Sequence, residues 1–381
     1  MLHSILPFII ILPPMAYGLI SLYCARDFFN RRAAMSDHTP PVTIIKPVKG
    51  MDAESYENFS SFCLQDYPQF QIIFAAASPT DPVIPVIEKL LEDFPAIDID
   101  LIVDGRIYGP NYKVCNLINA WPLARHDLII VCDSDIRVGK QYLREVSAPF
   151  ADPGVGLVTS LYRSPGIRGV ASALEAMGFT SEMVPNVMVA LKLEGLSFAL
   201  GASIAVRREA LEKSGGFQAL VDYLADDYQL GNKVHQAGWG LVLSDYFVES
   251  VMLRERISTI LSRQLRWART MRASRPGGYF ASGLTQPFPA ALLALVVSGW
   301  TFAGIAALLL LYTVHCLTAL VFSRRYLRDG IFPRWLWLLP VRDFFAFVTW
   351  GLAFTGQKVR WRGHLFRLLP GGRIEEVAAL R

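Results

Sequence analysis

One stretch constrains the fold more than any other: Leu128-Ile-Ile-Val-Cys-Asp-Ser-Asp135. Five apolar residues run unbroken and stop at two carboxylates. A continuous apolar run of this length reads as a strand covered on both faces, as in parallel sheets. Side chains two apart on a strand share a face, so Asp133 and Asp135 are placed to point the same way at the carboxyl end. Ligands bind along that edge of an open α/β sheet. Two hard oxygen ligands side by side suit Mg²⁺ or Mn²⁺ carrying a phosphate-bearing substrate. Two solvated loop acids, or an N-cap for the next helix, are the plain alternative for a lone pair of this kind.

The surrounding chain supports the sheet. Strands are expected over residues 42–46, 71–76, 99–103 and 128–132, with helices over 55–65, 82–93 and 113–124. Strands spaced about 27–30 residues apart with helices between them are βαβ units, hence a parallel sheet. The chain contains neither GxGxxG nor GxxxxGK[ST], so neither a dinucleotide fingerprint nor a P-loop is supported. Beyond Asp135, strands are expected over 155–161 and 203–207 and helix over 170–193, interrupted at Pro185. There Met183, Val184, Val187, Met188 and Leu191 form an apolar stripe, either domain core or a surface facing lipid or acceptor. Asp226 and Asp227 open another helix that runs to about Gln236; acids in a first turn also serve as plain helix-dipole partners.

Composition adds a membrane. Of 381 residues, 52% are hydrophobic and 18% charged, and the mean hydropathy is +0.33. That balance fits a membrane protein with a soluble part. A net charge of +4 is too small to argue for nucleic acid. Five scattered cysteines without a CxxC pair suit a reducing compartment and a packing role. Residues 5–23 are apolar and long enough for one span. Arg26, Arg31 and Arg32 follow that run, whereas a signal peptide carries its positive charge before it. By the positive-inside rule they keep the following domain in the cytoplasm. Residues 36–41 form a linker. Residues 288–322 read as two tight spans or one long tilted span, and Arg324, Arg325 and Arg328 favour two. Residues 331–354 carry Arg342 and Asp343, which such a segment tolerates only as paired groups. Lys358, Arg360 and Arg362 then place the end in the cytoplasm, so 331–354 is expected to be re-entrant or interfacial.

Between these parts lies a helix, 254–275, with seven arginines (254, 256, 263, 266, 269, 272 and 275) against Glu255. Arg263, Arg266, Trp267 and Thr270 share one face. The charge resembles an interfacial helix on anionic lipid, or simply a solvated basic face. The expected organisation is an N-terminal anchor over 1–25, an α/β domain over 42–253, a basic interfacial helix over 254–287, membrane or re-entrant helices over 288–356 and a cytoplasmic tail over 357–381.

Four stations stand out in order: Asp81 in Ser-Pro-Thr-Asp-Pro, Asp133 with Asp135, Asp227, and Arg263-Gln-Leu-Arg-Trp267. The set resembles the D, D, D, (R/Q)xxRW pattern of inverting GT-A glycosyltransferases. Ile45-Lys-Pro-Val-Lys-Gly50, Asp66-Tyr-Pro68, Asn111-Tyr-Lys-Val-Cys-Asn-Leu117 and Cys132-Asp-Ser-Asp-Ile-Arg-Val138 are similar to the ceramide-glucosyltransferase-type family, glycosyltransferase family 21. Ala225-Asp-Asp-Tyr-Gln-Leu-Gly231 and Leu265-Arg-Trp-Ala-Arg-Thr270 look most like its bacterial hopanoid-biosynthesis branch. Eukaryotic ceramide enzymes carry Asp-Ser-Gly where this chain has Asp133-Ser-Asp135.

The resemblance implies a GT-A cytoplasmic domain, an α/β Rossmann-like fold with transmembrane helices at both ends. It also implies transfer of a sugar (N-acetylglucosamine or glucose) from a UDP-sugar donor to a membrane lipid acceptor, a hopanoid polyol or ceramide. In it Asp81 lies at the uridine, Lys113 at the base or diphosphate, Arg266 at the diphosphate and Arg263 among the substrate-binding residues, with Trp267 against acceptor or sugar. Asp133 and Asp135 hold Mg²⁺ or Mn²⁺, and Asp227, with Asp226 as rival, is the catalytic base. A turn acid, a surface lysine and a packed aromatic are the structural alternatives for Asp81, Lys113 and Trp267. A processive polysaccharide synthase and, from another class, a noncatalytic membrane scaffold are the competing readings.

Overall fold

The strand that ends in Asp133 lies near the middle of a sheet. In a computed structural model that describes residues 2–31, 37–252 and 255–379, the strands are β1 (Val42–Pro47), β2 (Phe70–Ala76), β3 (Asp98–Val103), β4 (Leu128–Cys132), β5 (Ile136–Arg137), β6 (Val155–Arg163), β7 (Ser203–Arg207), β8 (Gly240–Ser250), β9 (Lys358–Trp361), β10 (His364–Leu368) and β11 (Ile374–Ala379). The first eight form one sheet in the order β3-β2-β1-β4-β7-β6-β8-β5. β1, β2, β3 and β4 pair in parallel, and β7 joins β4 antiparallel, with Cys132 opposite Ser203.

The crossover helices are α2 (Ser55–Cys63), α3 (Ile84–Asp93) and α4 (Tyr112–Ala120). After these come α5 (Tyr142–Ser147), α6 (Val170–Gly178), α7 (Val184–Glu194), α8 (Arg208–Lys213) and α9 (Asp226–Gln236). Alternate residues of the apolar strands feed two cores on opposite faces. Ile44, Ile72, Phe74 and Ile130 pack on one side, and Ile45, Ile73, Ala75, Ile129 and Val131 on the other. Burial on both faces is why these strands show no polar alternation. Chain order turns back between β1 and β4, so the crevice at their carboxyl ends is the topological switch point.

The membrane part begins with α1 (Leu2–Phe29), an unbroken helix despite Pro7, Pro13 and Pro14. It is followed, after the α/β domain, by α10 (Ile257–Ser274), α11 (Pro276–Ser282), α12 (Pro287–Ser298), α13 (Phe302–Val321), α14 (Ile331–Trp335) and α15 (Leu339–Leu352). Ile11 of α1 meets Ala291, Ala294, Ala307 and Leu311 of α12 and α13. Small residues let such helices approach closely without a hydrophobic drive between them. Among the described residues, three helical stretches are long and apolar enough to cross a membrane: Ile5–Phe29, Phe302–Leu327 and Ile331–Thr355. Pro276–Thr285 and Pro287–Ser298 form a bent pair at 53°.

The last stretch is held at its start by the α/β domain and at its end by α10. Asp329 accepts from Thr180 Oγ1 at 2.6 Å, and Gly356 O accepts from Arg272 Nη2 at 3.0 Å. Arg342 pairs with Glu182 at 2.6 Å and Asp343 with His315 at 3.2 Å, so each charge finds the partner its surroundings demand. The 183–191 stripe is core: Val184, Val187 and Met188 pack on Leu161 and on Cys24 and Ala25 of α1. All five cysteines are unpaired, four of them buried.

Two expectations change. Residues 357–381 are not a tail, because 358–379 fold into an antiparallel sheet, β11-β10-β9, with its own core of Leu224, Val359, Phe366, Leu368 and Ile374. The arginines of α10 turn inward: Arg263 meets Glu175 and Glu255, Arg269 the Lys358 carbonyl, Arg272 the Gly356 carbonyl and Arg275 Glu194. A helix whose cations have protein partners has few left for lipid headgroups. Arg32, Ser36, Arg254 and Arg381 lie outside the described residues.

Candidate active site

Each station is placed by the end of a strand or the start of a helix. Asp81 follows β2 and accepts from Gly50 N at 3.0 Å and from Val83 N at 3.0 Å. It therefore ties the chain after β1 to the start of α3. Gly50 takes φ 72°, a left-handed conformation that glycine reaches without a Cβ penalty.

Asp133 and Asp135 begin the turn that leaves β4. Lys46, wholly buried at the end of β1, donates to the Asp133 carbonyl at 2.9 Å and lies 3.8 Å from the Phe62 ring centroid. Burial pushes its ammonium below the ordinary lysine range, and the acids of the turn oppose that. Ser134 donates to Asp52, while Arg137 holds Glu54 at 2.7 Å and Asn58. The Asp135 carboxyl accepts from Ser250 Oγ at 3.1 Å. Burial, then the neighbouring charges of Asp133 and Asp52, raise it to about 6. The repulsion between Asp133 and Asp135 is what a divalent cation would relieve. Among the described residues, no third His, Cys, Asp or Glu completes an all-protein site. Mg²⁺ and Mn²⁺ do not require one, since one or two carboxylates with substrate phosphates suffice. The donor set thus fits.

Lys113 joins two stations. Its ammonium lies 2.7 Å from Asp133 Oδ1 and 3.3 Å from Asp226 Oδ2. Burial works against its charge, but Asp133 and Asp226 outweigh burial and hold the pKa well above the ordinary range. Asn111 caps α4 by accepting from Val114 N at 3.1 Å, and its amide donates to Asp226 at 3.3 Å.

Asp226 and Asp227 open α9 but diverge. Asp226 is buried and committed to Lys113 and Asn111. Asp227 Oδ1 accepts from the Tyr228 N–H at 2.7 Å, while Oδ2 faces Gly201. Burial, then Asp226, lift its carboxyl to about 6 against the pull of Lys113. A Cβ at Gly231 would strike the Phe198–Ala199 backbone, so this glycine lets α9 cross that strand-like segment closely.

The α10 station splits too. Arg263 reaches Glu175, which is wholly buried, at 3.1 Å and Glu255 at 3.1 Å. With both Nη atoms engaged, Arg263 is not free for a diphosphate, contrary to the expectation that it binds substrate. Arg266 lies one turn on, 5.9 Å over Trp267 and 5.8 Å over Trp361. Among the described residues its guanidinium has no ion pair. Burial, then Arg263, lower its pKa to about 10. Trp267 packs beside Phe179 at 6.4 Å, against the cluster of α6 and α14.

The crevice therefore brings together Lys46, Lys113, Asp133, Asp135, Asp226, Asp227 and Arg266, while Asp81 lies beside it through Gly50. Lys46, Asp52, Asn111 and Tyr162 were not singled out from sequence. Burial, then Asp227 and Asp133, hold the Tyr162 phenol above its usual range. Lys46 had a signal: a charge directly after the apolar Ile44-Ile45 of a strand. Asn111 stood at the head of the Asn111–Leu117 motif, while Asp52 and Tyr162 had none, being an ordinary loop acid and an ordinary strand aromatic.

The profile described as glycosyl transferase family 21 matches residues 6–374. Ceramide glucosyltransferase 3 of Caenorhabditis elegans is 26% identical over 364 residues, covering 93% of this chain and 79% of that protein. Ceramide glucosyltransferase of Candida albicans is 37% identical over 116 residues, 27% of this chain and 21% of that one. Among solved structures, the mannosyltransferase PcManGT from Pyrobaculum calidifontis, in complex with GDP-Man and Mn²⁺, superposes with a TM-score of 0.56. It is 17% identical and covers 92% of this chain and 98% of that one, a likeness of fold.

Proposed function

Because the chain belongs to glycosyl transferase family 21, we propose that it moves a hexose, glucose or N-acetylglucosamine, from a UDP-sugar to a hydroxyl of a ceramide or hopanoid polyol with inversion. That it is a membrane glycosyltransferase acting on lipid follows from its likeness to ceramide glucosyltransferases over nearly the whole chain. The observation that carries the finer reading is the Lys113 bridge, which brings the acid of β4 and the acid pair of α9 into one crevice.

Asp133 and Asp135 would hold Mg²⁺ or Mn²⁺. When bound, the ion offsets charge that develops on the departing diphosphate. Arg266 faces the same anion with a guanidinium that has no ion pair among the described residues. Lys113 keeps Asp133 and Asp226 apart in charge and in place. Asp227 takes the proton of the acceptor hydroxyl as its oxygen attacks the anomeric carbon. A carboxyl at about 6 is a better base than an ordinary aspartate and is still ionised at neutral pH. Single displacement needs this one base and no protein nucleophile. Arg263 acts as a positioning residue through Glu175 and Glu255.

The deciding experiment offers labelled UDP-glucose and UDP-N-acetylglucosamine to the purified full chain with ceramide or bacteriohopanetetrol in mixed micelles. Labelled product from one donor–acceptor pair is expected. No transfer to either lipid, with transfer to a soluble glycan, would overturn the reading.

A further inference from the structure

The turn between β9 and β10 is two residues long, Arg362-Gly363, with φ 47° and 87°. This is the mirror-image hairpin turn, where asparagine or glycine usually stands first. An arginine held there by its surroundings marks a position where the side chain matters more than backbone ease. The turn comes from the end of the chain yet lies beside the loop after β1. Arg362 Nη1 donates to the Lys49 carbonyl at 3.1 Å, and Lys49 Nζ donates to the Arg362 carbonyl at 3.0 Å. Arg362 Nη1 is also 3.9 Å from Asp52, which already accepts from Ser134 between the two site acids.

The sheet behind the turn is fixed to the α/β domain. Tyr112 donates to Glu376 at 2.6 Å and stacks near His364 at 4.6 Å, and Ile374 N donates to the Asp222 carbonyl at 2.7 Å. Trp361, the residue before the turn, lies 5.8 Å from the Arg266 guanidinium. Lys49, Arg266 and Arg362 thus converge on one rim of the crevice. The Arg362 side chain is 46% exposed, so a ligand in the crevice can reach it. Cations gathered this closely repel unless an anion lies among them. Beyond the effect of burial, Arg362 depresses the pKa of Lys49 against the pull of Asp81 and Glu376, and it adds a smaller push at Arg266 behind Arg263 and against Asp227 and Asp133.

We propose that this returning hairpin is the second wall of the donor site: Arg362, with Lys49, grips the nucleoside diphosphate, and Trp361 holds Arg266 flat against it. The proposal rests on the glycosyltransferase reading and adds to it that the donor site is completed only by chain beyond the last membrane segment. Arginine suits the task because its planar fork pairs with two phosphate oxygens at once.

The test uses full-length protein in nanodiscs. Arg362→Ala should raise the donor KM about 10- to 100-fold, the usual worth of a charged hydrogen bond, with kcat within about threefold and acceptor KM unchanged. UDP affinity, read by displacement of a fluorescent nucleotide, should fall by the same ratio. Arg362→Lys should recover part of it. A folded Arg362→Ala that binds UDP as wild type does overturns the proposal, as does a loss confined to kcat. Should Arg362→Ala not fold, Arg362→Lys, which keeps the charge and loses the fork, decides by the same ratio of affinities. If wild type transfers no sugar but Arg362→Ala still weakens UDP binding, the hairpin grip stands and the transferase reading falls.

Discussion

Lys113 Nζ lies 2.7 Å from Asp133 Oδ1, so a base at the start of α4 neutralises an acid at the end of β4. The same ammonium is 3.3 Å from Asp226, which makes it the hinge pin of the crevice. Lys113→Met leaves two carboxylates facing each other without a cation. Removing one partner of a buried pair costs about 3–5 kcal/mol. Asp133 is 38% exposed, which reduces the expected loss to about 1–3 kcal/mol. The melting temperature and the transfer rate should both fall, and Lys113→Arg should restore stability better than rate. An unchanged melt would show that the bridge does not hold the site.

Chelation should abolish transfer, and Mg²⁺ or Mn²⁺ should restore it. Asp135→Asn should weaken metal binding in the same assay and so raise the concentration of ion needed for half-maximal rate. Full activity after exhaustive chelation would remove the two-carboxylate metal site.

Asp227→Asn should lower kcat by about 10²–10⁴-fold, the worth of a positioned base, while UDP affinity stays near wild type. Asp226→Asn should instead disturb stability and donor affinity through Lys113 and Asn111. The base must be ionised, and burial with Asp226 raises its pKa to about 6. The rate should therefore rise with pH through about 6 and level off above it, and Asp227→Asn should lose that limb. A rate that climbs only above pH 8 would point to another base.

Gly201→Ala tests the same atom from the opposite side. A Cβ there would stand 2.6 Å from Asp227 Oδ2, so the carboxylate must shift. An ångström of misplacement costs up to about 10²-fold in rate. We expect kcat to drop by about 10-fold or more with UDP binding retained. A variant as fast as wild type would mean that Oδ2 is not the atom that takes the proton.

Topology gives the last test. Since β9–β11 pack on the α/β domain, a reporter after Ala379 and one between α3 and β3 must lie on the same side, expected to be the cytoplasm. Opposite readouts would rule out the return of 331–355 to that domain.

Much of this was legible in the chain itself. The unbroken apolar strands announced a sheet buried on both faces, because only that environment dispenses with alternation. Ser55, Asp93, Leu128, Cys132, Ser203 and Arg207 all bound elements as their local chemistry indicates. The acids at strand and helix ends were visible as chemistry through their order and spacing, since a lone acid pair in a turn also serves as a cap or a solvated loop. Arg342 and Asp343 signalled their pairing, as charges among apolar helices must.

What tertiary structure alone decided is which groups are spent and which are free. Arg263 and Arg266 look alike in sequence, yet Glu175, 88 positions away, takes Arg263, while Arg266 has no ion pair among the described residues. Asp226 and Asp227 are neighbours, but a helix turns adjacent side chains by about 100°, so one meets Lys113 and the other Gly201. The C-terminal strands were hidden because basic residues alternating with few apolar ones read as a solvated tail. Their apolar face is short, and it is complete only against Leu224 and the domain far earlier in the chain. Local propensity and hydrophobic pattern depend on near neighbours and can be read along a chain; charge pairing and returning strands depend on distant partners and exist only once the chain has folded.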